Sequence, residues 1–242
     1  GPTLLNQTWV NNETGVVWNL EQMRELKKSY GVFVHVDAVQ SVGKISDWNN
    51  LDPELDAYTF SGHKFGAMKG VGFTFLKKSV PFHPFLRGGG QQFGLRSGTE
   101  NTDGIHSLKL ALEELIEGQD FNALMVAKKF LEEKIEDQLG ESVEVMGKSA
   151  PRNANTISLC FVKDEVPKAD TLMAALDLAG IEVSSGSACS SGAVEPSRVL
   201  LAMGKTEKQA KSSLRFSLSP YCQLQDTEEI AEKAIKVLKR FA

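Results

Sequence analysis

The sequence predicts an α/β fold in which part of a large, doubly wound and mainly parallel sheet is followed by a smaller α+β unit. Over the first 118 residues, short runs of strand type alternate with amphipathic stretches, the order expected of a parallel sheet with helices packed on it. Val32-Phe33-Val34-His35-Val36 is apolar almost without alternation, which is typical of a strand buried on both faces. We place a domain boundary near Gly118, which divides the chain into domains of 1–118 and 119–242.

The first domain contains four predicted strands. They cover residues 3–10, 32–36, 56–60 and 71–76. Leu20, Met23 and Leu26 fall at helical spacing and predict a helix that ends at Tyr30-Gly31. A glycine-rich loop then runs from Gly88 to Asn101 and leads into a helix that includes Ile105. Because residues 3–10 already read as a strand, we expect the chain to begin inside a domain.

The second domain is predicted to mix strands and helices without a parallel repeat. One helix is expected after the interruption at 118–120 and ends at Leu139-Gly140, and two more are expected over 170–179 and 196–203. Strands are expected over 142–146, 156–162, 181–184 and 214–218. A final helix is predicted to begin at Asp226, because Glu229 follows three residues later in the spacing of a capping box.

Composition excludes several classes of function. The 242 residues are 41% hydrophobic and 24% charged with a net charge of −4, which predicts an ordinary globular protein and no general nucleic-acid binding. No apolar run is long enough to span a membrane. The odd cysteine count, without a Cys-x-x-Cys spacing, favours a reducing compartment, so we expect a cytoplasmic protein. The four histidines show no metal-ligand spacing, and no metal site is expected.

Ser61-Gly62-His63-Lys64 follows the strand 56–60 directly. It is therefore expected at the carboxyl end of a strand, where open α/β sheets bind their ligands. The Ser61 hydroxyl and the His63 imidazole could bind a phosphate, and Lys64 could form a Schiff base with pyridoxal phosphate. The alternative is an exposed loop lysine, which the motif taken alone favours.

Polar residues also follow the two preceding strands. Asp37 ends the strand that begins at Val32, and a buried carboxylate there could pair with a protonated pyridine nitrogen. Gln40 could reach the ring oxygen from the same side. A helix cap is an equally good local interpretation of Asp37. Asn11-Asn12-Glu13 follows the first strand, and an Asn turn is its commoner explanation. Three consecutive strands thus end in polar residues at one edge of the sheet.

Two more residues are candidates for chemistry. Arg215 lies in a strand pattern with Ser213 and Ser217 on its face, where it could grip a substrate carboxylate through two parallel hydrogen bonds; a solvated face is the ordinary alternative. Cys189 lies in a run of small residues and is a candidate nucleophile, although such a run is also typical of a linker. Cys160, by contrast, is expected in the core, and Cys222 has no evident role.

Taken together, these residues resemble the cysteine desulfurases, which belong to the class V aminotransferases among the fold type I pyridoxal-phosphate enzymes. The resemblance runs through nearly the whole chain. It is carried by Val-Asn-Asn-Glu-Thr-Gly at 10–15, His-Val-Asp-Ala-Val-Gln-Ser at 35–41, Ser-Gly-His-Lys at 61–64, Arg-Ser-Gly-Thr at 96–99, Ser-Ser-Gly-Ser-Ala-Cys at 184–189, Glu-Pro-Ser at 195–197 and Leu-Arg-Phe-Ser at 214–217. The cysteine-containing motif separates desulfurases from aminotransferases that share the lysine and the aspartate.

The resemblance implies a role for each cofactor residue. Domain 1–118 would be the C-terminal part of the large pyridoxal-phosphate-binding domain, and 119–242 the small domain that carries the catalytic cysteine. Lys64 would hold pyridoxal phosphate covalently and move protons. The other cofactor contacts would come from Asp37 to the ring nitrogen, Gln40 to the ring oxygen, Ser61 and His63 to the phosphate, and Thr99 to the phosphate of a neighbouring subunit. A homodimer is therefore implied.

The resemblance also implies the substrate and the partners. Asn12 and Arg215 would orient the carboxylate of L-cysteine, and Cys189 would take its sulfur as a persulfide while L-alanine leaves. The sulfur would pass to an acceptor or scaffold protein for iron–sulfur cluster or thio-cofactor synthesis. The N-terminal part of the family, with its glycine-rich segment and its ring-stacking histidine, is absent from this sequence. We therefore expect this polypeptide alone to bind the cofactor weakly or not at all, and to be inactive by itself.

Three alternatives remain open beside the desulfurase interpretation. A selenocysteine lyase or a class V aminotransferase could use the same scaffold, although the Cys189 motif disfavours a plain transaminase. A catalytically silent sulfur-transfer partner could retain the fold. Such a protein has no need for Lys64, Asp37, His63, Cys189 and Arg215 together.

Overall fold

The computed structural model of this chain describes residues 3–163, 165–186 and 195–242. The described chain divides into two compact units. Unit 1 consists of the segment ending at Trp9 together with Trp18–Gly43 and Asp47–Gly118, and unit 2 consists of Val10–Val17, Lys44–Ser46 and the chain from Gln119 onward. Two short segments of the range 1–118 thus fold with unit 2.

Unit 1 is built on a four-stranded sheet of order β1-β2-β3-β4. The strands are β1 (Leu4–Thr8), β2 (Phe33–Asp37), β3 (Ala57–Ser61) and β4 (Gly72–Leu76). The first three are parallel, and β4 is antiparallel to β3. The mainly parallel α/β sheet predicted from the sequence is confirmed. The helices of unit 1 are α1 (Leu20–Tyr30) and α2 (Thr102–Gly118), and short 3₁₀ turns lie at Gly62–Lys64 and Gln92–Gly94.

Local capping sets the bounds of α1, which connects β1 to β2. The Asn19 side chain accepts the Glu21 N–H at 2.7 Å, and Gly31 ends the helix in the left-handed conformation with φ of 61°, as expected of these residue types. Met23 is the fully buried residue of this helix. In β2, Val34 and Val36 are fully buried, whereas Phe33 and His35 are half-buried. The predicted strand is therefore confirmed, but the expected burial on both of its faces is wrong.

Polar side chains on one face of this sheet form a hydrogen-bonded chain across all four strands. The Nδ1 atom of His35 lies 2.6 Å from the Asn6 Oδ1 atom, and its Nε2 atom lies 2.7 Å from the Thr59 hydroxyl. The Thr59 hydroxyl in turn lies 3.1 Å from that of Thr74. His35 therefore ties neighbouring strands together, since both of its ring nitrogens have partners.

Unit 2 is built on a four-stranded antiparallel sheet of order β5-β6-β8-β7. Its strands are β5 (Val143–Val145), β6 (Thr156–Phe161), β7 (Ser184–Ser185) and β8 (Ser213–Ser217), and its helices are α3 (Phe121–Leu139), α4 (Ala169–Asp177), α5 (Arg198–Ala202), α6 (Glu207–Ala210) and α7 (Leu224–Leu238). A 3₁₀ turn at Gly140–Ser142 joins α3 to β5. Every residue of β6 is buried, and α3 packs against α7 over the apolar core.

The predicted start of the last helix is wrong. Helix α7 begins at Leu224, and the Asp226 carboxylate accepts the backbone N–H of Gln223 at 2.8 Å. Asp226 is thus the last residue of a capping box that begins at Gln223, rather than its first residue. None of the helices in the described ranges is long and apolar enough to cross a membrane.

A buried lysine lies in unit 2 beside an ion pair. Lys128 is 7% exposed, and its ammonium group donates to the Asn153 carbonyl at 2.8 Å. Close by, Arg152 forms two hydrogen bonds with the Glu132 carboxylate, at 2.6 and 3.0 Å. Burial, reinforced by the Arg152 charge and opposed by Glu132, lowers the pKa of Lys128 to about 8. Folding therefore favours the neutral form of this side chain.

This shift predicts a pH-dependent stability. Between pH 8 and 10.5 the unfolded chain binds more protons at Lys128 than the folded chain, so the free energy of unfolding rises with pH in that range. The contribution is on the order of 3 kcal/mol. Urea unfolding should show that Lys128→Met loses this rise, whereas Lys129→Met, an exposed lysine on the same helix, keeps it. Equal pH dependence in wild type and Lys128→Met would contradict the expectation.

Candidate active site

Asp37 lies half-buried at the carboxyl end of β2. One oxygen of its carboxylate accepts the Val39 N–H at 3.0 Å, and the following backbone N–H, that of Ala38, donates to the Thr59 carbonyl of β3 at 3.0 Å. Residues 39–44 form turns rather than a helix. The interpretation of Asp37 as a helix cap is therefore wrong, because its carboxylate closes a turn at the end of the strand.

Lys64 lies in the 3₁₀ turn that follows β3 directly, and its side chain is exposed. Two residues of the same motif contact each other, since the Ser61 hydroxyl lies 3.0 Å from the Nδ1 atom of His63. The imidazole and the hydroxyl thus form a pair at the end of the strand. Either atom could donate, depending on the tautomer of the ring.

Gly62 holds this turn against the helix behind it. A Cβ atom at Gly62 would lie 2.7 Å from the Leu108 Cδ2 atom of α2 and 3.0 Å from the Val71 carbonyl oxygen. The Gly62 N–H donates to the same carbonyl at 2.9 Å. The close approach that this glycine permits is therefore to helix α2 and to the residue that precedes β4.

The parallel register brings these groups to one edge of the sheet in unit 1. Asp37 pairs with Thr59, two residues before Ser61, so the carboxylate and the Ser61-His63-Lys64 group both lie where parallel strands end. Gln40 follows Asp37 by three residues and is half-buried.

Thr99 lies exposed on a separate loop of unit 1. Ser97 fixes this loop, since its hydroxyl donates to the Gly89 carbonyl at 2.7 Å and its N–H to the Leu86 carbonyl at 3.3 Å. The Gly98 N–H adds a bond to the Gln91 side chain at 3.2 Å. The backbone next to Thr99 is thus held by its own loop.

Asn12 lies in the loop Val10–Val17, which belongs to unit 2. Asn11 makes the turn: its side-chain oxygen accepts the N–H groups of Glu13 and Thr14 at 3.0 and 2.9 Å. The Thr14 hydroxyl adds a third bond at 3.1 Å. The Asn turn predicted from the sequence therefore belongs to Asn11, and the Asn12 side chain is exposed.

The far side of this loop is bound to the rest of unit 2. Val16 pairs with Arg152 in an isolated antiparallel bridge, and the Gly15 carbonyl accepts the Asn153 N–H at 2.8 Å. Gly15 has a φ of 74°, and a Cβ atom there would collide with the Asn153 side chain. A glycine is therefore needed at this position.

Arg215 is the central residue of β8 and is half-buried. Its Nη1 atom donates to the Asn12 carbonyl at 2.8 Å. The sequence offered a solvated face as the ordinary alternative, but Ser213 on that face is buried and only Ser217 is exposed. Two predicted substrate residues, Asn12 and Arg215, are thus in direct contact.

Glu13 is a residue that the sequence reasoning did not single out. It is half-buried, and its carboxylate accepts a hydrogen bond from the Ser197 hydroxyl. Burial raises the pKa of Glu13, while the Ser197 hydrogen bond and the Arg215 charge oppose the rise. Both residues lie within the motifs 10–15 and 195–197, which is the signal by which they could have been found.

The predicted nucleophile, Cys189, lies outside the described residues. Cys160 is fully buried, as expected of a core residue, and burial raises the pKa of its thiol to about 11. Cys222 is also buried, and burial raises the pKa of its thiol. Neither of these two is therefore available as a thiolate near neutral pH.

The groups gathered in unit 1 fit pyridoxal phosphate chemically. A carboxylate can keep the ring nitrogen protonated, a hydroxyl with an imidazole can bind the phosphate, and an amine can hold the aldehyde carbon. The described ranges contain no group of three His, Cys, Asp or Glu side chains placed to hold a metal ion.

The α/β architecture of this chain is that of the fold type I pyridoxal-phosphate enzymes. The family model "Aminotransferase class-V" matches residues 1–230, and the chain belongs to this family. It is 40% identical over 229 residues to a cysteine desulfurase from Cereibacter sphaeroides, a match that covers 95% of this chain and 58% of that relative.

Solved structures agree with this assignment. A NifS-like protein from Rickettsia africae is 28% identical and superposes with a TM-score of 0.83, covering 98% of this chain and 62% of that one. The structure of SspA in complex with cysteine is 29% identical with a TM-score of 0.70, covering 90% and 59%. The chain therefore spans about three fifths of the length of these proteins.

The two neighbouring asparagines should respond differently to truncation. Asn11→Ala removes three hydrogen bonds that hold the loop and should lower the free energy of unfolding by about 1–2 kcal/mol. Asn12→Ala removes an exposed side chain but keeps the carbonyl that Arg215 binds, so the loss should stay below about 0.5 kcal/mol. Urea unfolding measures both, and an equal loss in the two variants would contradict the assignment of the turn to Asn11.

Proposed function

We propose that the protein is a pyridoxal-phosphate-dependent cysteine desulfurase. The observation that carries this proposal is the gathering of Asp37 and the Ser61-His63-Lys64 group at one sheet edge. The similarity to named cysteine desulfurases supports the choice of reaction.

Unit 1 would bind the cofactor. Lys64 would hold its aldehyde carbon and Asp37 its ring nitrogen, while Gln40 would contact the ring oxygen. The pair formed by Ser61 and His63 would bind the phosphate. When bound, the cofactor supplies an electron sink for the α-carbon of the substrate. The amine of Lys64 would also move protons at the α-carbon of the substrate.

Unit 2 would bind the carboxylate of L-cysteine. Arg215 offers a planar guanidinium that can form two parallel hydrogen bonds with a carboxylate. Its bond to the Asn12 carbonyl brings the exposed Asn12 side chain into the same cluster, where the amide could donate to the same anion. A lysine at position 215 could not reproduce this geometry.

Cys189 would carry out the sulfur transfer. Its thiolate attacks the sulfur of L-cysteine, so that a sulfur–sulfur bond forms and the carbon–sulfur bond breaks. The electron pair of the broken bond stays with the β-carbon, which takes up a proton, and L-alanine leaves. Both other cysteines are buried with raised pKa values, which supports the choice of Cys189 as the nucleophile. We infer that the persulfide then passes to an acceptor or iron–sulfur scaffold protein in the cytoplasm.

Exchange of single side chains tests this assignment, and the variants here and in the next subsection are made in a protein that also contains the N-terminal part of the family. Cys189→Ser should keep the absorption of the bound cofactor and lower the release of sulfide from L-cysteine by at least about 100-fold, because the hydroxyl cannot accept the sulfur. Cys222→Ala, which removes a buried thiol outside the proposed site, should retain most of the activity. Lys64→Ala should lose the cofactor absorption. Sulfide release by Cys189→Ser at the wild-type rate would refute Cys189 as the nucleophile.

We also infer that the protein is a homodimer in which the Thr99 loop of one subunit meets the other. The segment that leads to Thr99 exposes large apolar side chains, among them Phe85 at 94% and Phe93 at 99%. Phe93 also has a φ of 58°, a conformation that bulky residues rarely adopt outside functional sites. A partner that covers these rings would remove them from water, and a second copy would also place its Thr99 near the first subunit, as the family resemblance implies.

Light scattering coupled to size exclusion tests the dimer. The wild type should have twice the mass of one chain, and the double variant Phe85→Ser/Phe93→Ser should shift towards the monomer, because it removes apolar contact area from the interface. Leu178→Ser, which changes an equally exposed apolar residue of unit 2, should remain dimeric. A monomeric wild type, or a double variant that stays fully dimeric, would contradict the inference.

A further inference from the structure

The Glu13 carboxylate joins two parts of unit 2 that lie 184 residues apart in the sequence. It accepts a hydrogen bond from the hydroxyl of Ser197, a residue that is 2% exposed. Glu13 itself is half-buried. Removing a carboxylate from water costs free energy, and specific hydrogen bonds have to offset that cost. The contact with the buried Ser197 hydroxyl is therefore part of what keeps Glu13 in this position.

Ser197 has a second role at the start of α5. Its hydroxyl oxygen accepts the Leu200 N–H at 3.1 Å and thus caps the helix. Leu200 is fully buried in the core of unit 2. The bond to Glu13 therefore fixes the point at which the chain, coming from the sequence around Cys189, enters a helix anchored in the core.

The chain that precedes Cys189 is bound to the strand of Arg215. Ser184 of β7 pairs with Arg215, and Ser185 pairs with Leu214. The Gly186 N–H then donates to the Ser213 carbonyl at 3.2 Å. Both described ends of the chain around Cys189 are thus tied to the cluster that contains Arg215, one through β8 and the other through Glu13.

Arg215 completes this connection. It donates to the carbonyl of Asn12, the residue next to Glu13, and its positive charge favours the charged form of the Glu13 carboxylate. The same loop therefore contacts the guanidinium through its backbone and Ser197 through a side chain.

We propose that Glu13 is a positioning residue of the desulfurase reaction, which steadies Arg215 through the loop that Glu13 shares with Asn12 and anchors, through Ser197, the chain that follows Cys189. This inference rests on the proposed function and adds a residue to it. Glu13 itself touches neither the substrate nor the cofactor. Its two connections act on different steps, because Arg215 serves substrate binding and Cys189 serves sulfur transfer.

Kinetics of single variants separate the two connections. Glu13→Gln keeps an oxygen for the Ser197 hydroxyl and removes the charge beside Arg215, so it should raise the KM for L-cysteine about tenfold and leave kcat within about threefold. Ser197→Ala should lower kcat about tenfold with little change in KM, and Ser197→Thr should restore it. Glu13→Ala should show both effects. Glu144→Gln, which removes a carboxylate that accepts from Lys205 in the same unit, should change neither constant.

Amide hydrogen exchange provides a readout that does not depend on activity. Loss of the Glu13–Ser197 bond should speed amide exchange in residues 197–202 in Glu13→Ala and Ser197→Ala, but not in Glu144→Gln. The cofactor absorption should be unchanged in all of these variants.

The outcomes distinguish the two proposals. An active wild type whose Glu13 variants keep KM, kcat and exchange at wild-type values would overturn the positioning role alone. If all variants lost stability and activity to the same extent, and KM and kcat did not respond separately, the positioning role would also be overturned. The Glu13–Ser197 bond would then serve only the stability of the fold. A wild type that binds the cofactor but releases neither sulfide nor L-alanine from L-cysteine would refute the proposed function, and the role of Glu13 in it, whatever the exchange data show.

Discussion

The parallel pairing of β2 with β3 is the constraint on which the candidate cofactor site depends. Only parallel neighbours end at the same edge of a sheet, and the pairing of Asp37 with Thr59 sets the carboxylate beside the turn that contains Ser61, His63 and Lys64. Fully buried valines in β2 hold this register, because a slip by one residue would turn them out of the core. The reactive groups are exposed or half-buried, but their placement is decided by the apolar residues between them.

Much of this arrangement could be predicted from local sequence patterns. The apolar run before Asp37 indicated a buried strand, and Ile157-Ser158-Leu159-Cys160 indicated another in which Cys160 packs in the core. The strand was found in both cases, but burial on two faces holds only for β6, in which every residue is buried. In β2 the buried valines alternate with the half-buried Phe33 and His35, and the hydrogen bonds of His35 to its neighbours explain why a polar residue is placed on that face. The end of β2 was recognised by the same means, since the pattern stops at Asp37.

Contacts between distant residues could not be predicted in this way. The hydrogen bond from Ser197 to Glu13 crosses 184 positions, and the bond from Arg215 to the Asn12 carbonyl involves a backbone atom that no side-chain pattern reveals. The start of α7 was predicted wrongly because an aspartate can either begin a capping box or complete one. In the structure Asp226 completes the box, since its carboxylate accepts the N–H of Gln223. In the asparagine pair, the sequence likewise could not tell which residue makes the turn.

In the loop that contains Asn12 and in the turn that contains Lys64, one residue fixes the backbone and a neighbouring residue is available for chemistry. In one loop Asn11 holds the turn, which leaves the Asn12 side chain exposed and directs Glu13 towards Ser197. In the other, Gly62 packs against Leu108 while Lys64 is exposed. An acceptor or donor atom that is used internally is lost to a ligand. Asp37 meets both needs because only one of its two carboxylate oxygens accepts the Val39 N–H. Residues that fix the backbone therefore lie next to residues that carry chemistry in these motifs. A side chain is available to a ligand when a neighbouring residue makes the contacts that hold the loop.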